Sequence, residues 1–221
     1  MTRRYTRPDP TRPVVSPRPS RNRRGAAGRR STVPQQPDRP ADDGPRGFRP
    51  AERLVEAANA VRRSPLLPRA ELAALLVRHG ERSADVSADA FSDADADELR
   101  DAARTLADVL AERDADRVAD ALNELLLRHG APPRLSRHDG HSWHLHVDRG
   151  EEAGWGEWFL ASGALALAQL LTERGRVAWG ECAAAGCRTL FLDTGPGSAR
   201  RYCSTGCATR TRVAAHRRRQ R

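Results

Sequence analysis

All four cysteines of the 221-residue chain fall in one 26-residue stretch, "CAAAGCRTLFLDTGPGSARRYCSTGC". They stand as Cys182-x4-Cys187 and Cys203-x3-Cys207, with 15 residues between the pairs. Two close pairs separated by a hairpin-length insert suit a tetrahedral zinc site, because each pair can fold as a tight turn that converges two sulfurs on one ion. The spacing therefore predicts that Cys182, Cys187, Cys203 and Cys207 bind one Zn2+. Four sulfurs close the coordination shell and leave no position for a catalytic water, so the metal is expected to be structural. Two disulfides or a redox pair are the alternatives. A reducing compartment favours metal.

Between the pairs, "RTLFLD" has β character, "TGPGS" reads as a turn, and "RRY" is expected to return as a second strand. After Cys207 the chain can run as a helix, placing that cysteine in its first turn. Trp179, Leu190, Phe191, Leu192, Tyr202 and Val213 are the expected core of this unit. So small a unit usually needs a metal or disulfides to hold.

"ATRTRVAAHRRRQR" follows directly, and beyond Asp193 the chain has no acidic residue. Arg200, Arg201, Arg210, Arg212, Arg217, Arg218 and Arg219 are the candidate nucleic-acid contacts. Arginine can fork onto phosphates or pair with the guanine edge in the major groove. A solvated, frayed terminus is the plainer alternative.

Other chemistry-bearing residues carry less. "HDGHSWHLHV" places His141, His144 and His146 near one another. On a strand His144 and His146 would share one face, leaving Trp143, Leu145 and Val147 toward the core. No cysteine or carboxylate is expected to complete a metal set there, and a ligand pocket on that face is the stronger of the two functional readings. Trp155, Trp158 and Phe159 in "GWGEWFLASG" read as core, with a small-molecule pocket against the hairpin as the alternative. "SDADADE" lacks the Gly and the distal Glu of a calcium loop and reads as the acidic start of a helix. There is no phosphate-cradling Gly loop, G-x-S-x-G elbow or H-E-x-x-H, so nothing here argues for an enzyme.

The elements that must position these residues follow from the charge and hydropathy pattern. Every one of the 38 basic residues is Arg. Residues 1–50 hold 13 Arg and 4 Asp, residues 51–181 hold 16 Arg and 24 acids, and residues 182–221 hold 9 Arg and 1 Asp. A basic arm, an acidic body and a basic tail share one chain with net charge +9, and the basic ends point to nucleic acid or another anionic surface. Residues 1–47, rich in Arg and Pro, have too little apolar surface to offset ordering entropy and are expected to be disordered.

From residue 51 the pattern is helical. Leu54, Val55, Ala58 and Val61 form one stripe; "SPLLPRAELAALLVRHG" starts on helix-compatible prolines and stops at Gly80. Leu99, Ala103, Leu106 and Leu110 form the next stripe, and Val118, Leu122, Leu125 and Leu126 the clearest one, closed by Gly130. "RLSRHDGHSWHLHVD" predicts two strands joined at Asp139-Gly140. "GWGEWFLASGALALAQLLTERG" is apolar on most sides and predicts a central helix. No apolar run approaches the ~20 residues of a membrane span, and "MTRRYTRPDPTRP" lacks the apolar core of a secretion signal; the expected location is cytoplasmic.

The stretch from Cys182 to Arg221 resembles the CGNR zinc finger, the C-terminal module of a bacterial family of transcription regulators. "ALNELLLRHGAPPRLSRHDGHSWHLHV" and "GALALAQLLTERG" are similar to the latter half of the ABATE domain that precedes it in that family. Two departures stand out: "LVEAANAVRR" replaces the usual Leu-Asp-Phe-x-Asn-Thr-like opening, and the eponymous tetrapeptide reads Cys207-Ala208-Thr209-Arg210, keeping Cys and Arg but not Gly and Asn. The resemblance implies DNA, rather than RNA, as partner. It also implies a body that senses a small-molecule effector or forms a homodimer.

The expected architecture is mainly α with a small β-hairpin. A disordered arm at 1–47 precedes a helical domain at 48–176 and a treble-clef or ribbon-like zinc finger with a basic helix at 177–221. The expected function is that of a zinc-dependent DNA-binding transcription regulator, and the rival reading is a protein–protein adaptor whose finger meets an acidic surface.

Overall fold

Apolar stripes at helical spacing fold into five helices in the computed structural model of the chain: α1 (Pro50–Arg63), α2 (Arg69–Arg78), α3 (Asp93–Ala111), α4 (Ala115–His129) and α5 (Trp155–Arg174). The structure describes residues 50–137, 143–150, 153–195 and 199–220. The N-terminal arm, His141 and the Asp139-Gly140 turn lie outside them. Leu54, Ala58 and Val61, then Leu99, Ala103, Leu106 and Leu110, then Val118, Leu122 and Leu125 are buried as their spacing predicts. Val55 and Leu126 sit half-buried at the stripe edges.

Local chemistry sets the helix ends. "SDADADE" is a capping box: Ser92 Oγ accepts from the Asp95 backbone N–H at 3.2 Å, and Asp95 Oδ2 accepts from the Ser92 N–H at 2.7 Å. Two otherwise orphaned donors are thereby satisfied. Asp114 caps α4 through the Arg117 N–H at 3.0 Å, and α5 ends on Gly175 in the left-handed region, φ 61°.

Helix α5 packs on α3 and α4, while α1 lies against α3 and α5. Gly156 and Gly163, two turns apart on α5, allow the close approach to α3. A Cβ at 163 would stand 2.8 Å from Leu106 Cδ1, and one at 156 would stand 3.1 Å from the Glu98 carbonyl oxygen. Arg53 is buried inside this bundle, bonded to Glu81 at 2.6 Å and lying 4.3 Å from the Trp158 ring centroid.

Two short antiparallel hairpins complete the fold. In the first, β1 (Arg134–Ser136) pairs with β2 (His144–His146) in the register Arg134↔His146 and Ser136↔His144. Strand alternation predicts Trp143 and Leu145 facing inward, but Trp143 is 65% exposed and Leu145 only half-buried. Trp143 precedes the first paired residue, so the two-residue period does not govern it; Val147 alone of that set reaches the core.

In the second hairpin, β3 (Trp179–Glu181) pairs with β4 (Leu190–Leu192). The expected return strand at "RRY" does not form. Leu190–Leu192 pairs backward across the Cys182–Cys187 loop instead, and Arg201 only accepts a backbone bond from the Ala183 N–H at 2.8 Å. The last helix, α6 (Thr205–Arg219), carries Cys207 in its first turn, as its spacing predicts.

Candidate metal centre and basic helix

The loop joining β3 to β4 is a knuckle. The Cys182 N–H donates to the Thr189 carbonyl at 3.0 Å, the Cys187 N–H donates to the Ala184 carbonyl at 2.9 Å, and Gly186 takes φ +75° at the turn. The second pair straddles the start of α6, where Ser204 Oγ accepts from the Cys207 N–H at 3.2 Å. A knuckle-tipped hairpin followed by a helix bearing the last cysteine is a treble-clef arrangement.

All four sulfurs lie within 4.8 Å of one another. Cys187 and Cys203 are 3.8 Å apart at Sγ, and Cys203 and Cys207 are 3.6 Å apart. A tetrahedron with ~2.3 Å metal–sulfur bonds has edges of about 3.8 Å, so the donor set fits a single four-coordinate ion. All four cysteines are free of disulfides.

The thiols are not equivalent. Hydrogen bonds from Thr189 draw Cys187 down to about 6, whereas burial and the neighbouring thiols push Cys203 up to about 12. Four thiolates in one place repel, and only a cation lets all four deprotonate together. One further positive group is in place: Arg210 Nη2 donates to Cys207 Sγ at 3.0 Å.

The hairpin is joined firmly to the helical bundle. Trp179 and Leu190 belong to the same buried cluster as the helical stripes. Asn59 on α1 clamps Leu190 from both sides, donating to its carbonyl at 2.9 Å and accepting from its N–H at 2.8 Å. Arg62 pairs with Glu181 at 2.7 Å. Arg113 donates to the carbonyls of Trp179 and Glu181 at 3.2 and 3.0 Å, lying so close over Gly180 that a Cβ there would be 2.0 Å from its Cζ. Buried Asp193, the sole acid of the C-terminal stretch, accepts from Arg176 at 2.9 Å and from the Arg200 N–H at 3.0 Å.

Asn59 and Asp193 had sequence signals, a polar residue inside an apolar stripe and a lone acid among arginines. Arg113 had none. Asn59→Ala strands both backbone groups of Leu190, and we expect a loss of about 1–3 kcal/mol, measured by urea unfolding.

The candidate arginines divide by partner. Arg200 is exposed, but its guanidinium donates to the Cys203 carbonyl at 2.9 Å and lies 5.4 Å from the Phe191 ring centroid. Arg201 lies over Tyr202 at 5.9 Å. Arg212 reaches the Ala208 carbonyl at 3.4 Å. Arg217, Arg218 and Arg219 stand exposed in the last turn of α6. Cys207 is the buried residue of that helix, with Ala208, Thr211 and Ala215 half-buried beside it. At 3.6 residues per turn the outward arc carries Thr209, Arg210, Val213, His216 and Arg217, with Arg212 at its edge, while Arg218 and Arg219 stand exposed beyond the end of the packed part of the helix. Val213 falls on this arc and is 44% exposed; the core position expected of it is not realised, because six residues after Cys207 it faces away from the knuckle.

The histidine strand differs from expectation in one respect. A carboxylate does stand beside it: Asp148 Oδ2 is 2.8 Å from His146 Nδ1. His144 and His146 are half-buried and line a cavity of ≈ 360 Å³ between the first hairpin and α5, which Trp143 and Trp158 also border. His141 lies outside the described residues.

Residues 179–220 match the CGNR zinc finger family. Residues 49–174 match the ABATE family, described as "Putative stress-induced transcription regulator". Among curated proteins, none matches the chain. Among the described residues, no helix is long and apolar enough to cross a membrane.

Proposed function

Because the chain belongs to the ABATE family and ends in a CGNR zinc finger, we propose that it is a DNA-binding transcription regulator whose finger presents α6 to the duplex. The division into an arm at 1–47, a body at 48–176 and a finger at 177–221 is part of this reading. Cys182, Cys187, Cys203 and Cys207 hold one Zn2+, which cross-links the hairpin knuckle to the start of α6. The observation that carries the proposal is the exposed surface of α6: it carries Arg210, Arg212, Arg217, Arg218 and Arg219, and no acid follows Asp193 to neutralise them. A cationic helix fixed at its base by a metal cluster can meet phosphates without first paying the entropy of ordering itself.

The helical body supplies the sensing or dimerising part. The support is α1, whose Pro50 borders the cavity while its Asn59 grips β4, so one rigid helix touches both the pocket and the finger.

Fluorescence-anisotropy titration of zinc-loaded protein against random-sequence duplex at several salt concentrations tests the reading. If about five arginines contact phosphates, the log–log salt slope is about −4.5. No binding at low salt by protein of full zinc content overturns it and leaves an acidic protein surface as the partner.

A further inference from the structure

We propose that the cavity between the first hairpin and α5 binds an uncharged, planar aromatic molecule of one or two rings with an amide-like polar edge. Such a site belongs to the sensing role proposed for the body and rests on that reading for the consequence of binding, not for binding itself. At ≈ 360 Å³ the cavity stands near the lower end of small-molecule sites, which run from about 300 to 1,000 Å³.

The shape of the guest follows from the ring walls. Trp158, Ser162, Leu165 and Gln169 recur along α5 at spacings of four, three and four residues and so share one face, which floors the cavity. Trp158 is pinned there: the Arg53 Cζ lies 4.3 Å from its ring centroid, and Trp155 packs edge-on with centroids 5.4 Å apart. Trp143 stands at the rim on the hairpin side, 65% exposed, with the Arg137 Cζ 5.4 Å from its centroid. Two indoles on facing walls suit a flat ring, and stacking covers the apolar surface that Trp143 otherwise leaves in water.

The charge of the guest follows from what the walls withhold. None of the 38 arginines of the chain is among the described residues that line the cavity, so an anion finds no counter-ion there. The guanidinium groups beside both indoles repel a cation. Asp148, the one acid on the wall, is spent within the protein: its Oδ1 accepts from Arg134 Nη2 and the Gly150 N–H, each at 2.9 Å, and its Oδ2 meets His146 Nδ1 at 2.8 Å. His144 and His146 bond to each other through Nε2 at 2.9 Å. Ser162 Oγ accepts from Arg53 at 3.2 Å and donates to the Phe159 carbonyl at 3.4 Å. A charge buried without a partner is costly, which leaves a neutral guest. The exposed Gln169 amide, with one acceptor oxygen and two donor hydrogens, is the wall's complement to a guest's own amide-like edge.

Zinc-loaded full-length protein, with no duplex present, is titrated with isocarbostyril, a neutral two-ring lactam, while the indole N–H resonances of the four tryptophans are followed. We expect saturable shifts at Trp143 and Trp158, with Trp179, buried and bonded to the Val109 carbonyl, unmoved. N-methylisoquinolinium and isoquinoline carboxylate, of similar size but charged, should bind about tenfold more weakly or worse. Trp143→Ala and Gln169→Ala alter exposed side chains and should each weaken lactam binding about three- to tenfold without changing zinc content. No saturable shift up to the solubility limit of the lactam, equal binding of either charged analogue, or unchanged affinity in both variants overturns the proposal. The charged analogues decide the matter in wild-type protein even if a variant folds poorly. Because the titration holds no DNA, its failure leaves the duplex reading standing, and failure of duplex binding leaves the cavity result standing.

Discussion

Replacing Cys207 by Ser is expected to strip the protein of the zinc we propose for the thiol cluster and to disorder the chain from about residue 199 onward, while β3–β4 stays docked on the helices. The asymmetry comes from what holds each part. The hairpin contributes Trp179 and Leu190 to the main core, each worth roughly 1.5–3 kcal/mol of burial, and it is bonded to Asn59, Arg62 and Arg113. Among the described residues, the second cysteine pair and α6 have a small cluster of Ala184 and the cysteines, with Tyr202 packed beside it. Structural zinc supplies about 10–16 kcal/mol of apparent folding free energy. Shared over four ligands, that is about 2.5–4 kcal/mol each, or roughly a hundred- to a thousandfold in zinc affinity per thiolate. Cys207 is 3% exposed, so no water can take its place. Half-buried Cys187 can be replaced by solvent more easily, and Cys187→Ser is the milder lesion. Metal analysis and amide exchange check both expectations together. Protection must vanish across α6 and persist at Leu190; one full equivalent of zinc with an ordered α6 contradicts the ligand assignment.

The parts of the molecule governed by local rules were legible in the sequence. Leu99, Ala103, Leu106 and Leu110 are buried because helical periodicity alone puts them on one face. "SDADADE" caps α3 because a serine and an aspartate three residues apart can satisfy each other's backbone. The cysteine spacing marked the cluster because each pair needs only a short turn. Legibility failed where a nonlocal partner decides. Leu190–Leu192 has two strand-like neighbours, and the choice of Trp179–Glu181 over "RRY" follows from the core that Trp179 enters. Val213 is apolar, but six residues after Cys207 it falls on the face of α6 turned away from the knuckle. Arg200 and Arg210 have the same side chain as Arg217 yet different partners: the guanidinium of Arg200 holds carbonyls of the knuckle, and that of Arg210 holds a cysteine sulfur. Residue type does not separate a structural arginine from one free to meet a phosphate.

That division makes the arginines an experiment with its own control. Arg217→Ala, Arg218→Ala and Arg219→Ala together remove three exposed charges from the last turn of α6 and touch none of the bonds that build the knuckle. We expect weaker binding to every duplex sequence alike, since phosphate contacts do not read bases. The salt slope should flatten by about 0.9 for each phosphate no longer neutralised, from about −4.5 to about −1.8. Zinc content and thermal stability should stay within error of the parent chain. Arg200→Ala should do the reverse: its guanidinium bonds the Cys203 carbonyl and packs over Phe191, so its removal lowers the stability of the finger, and zinc-saturated protein keeps the parent slope. Salt-dependent titration of both variants, alongside melting curves, separates the two roles. A slope unchanged by the triple substitution means that the end of α6 does not meet phosphate, and a slope flattened by Arg200→Ala means that the knuckle itself does.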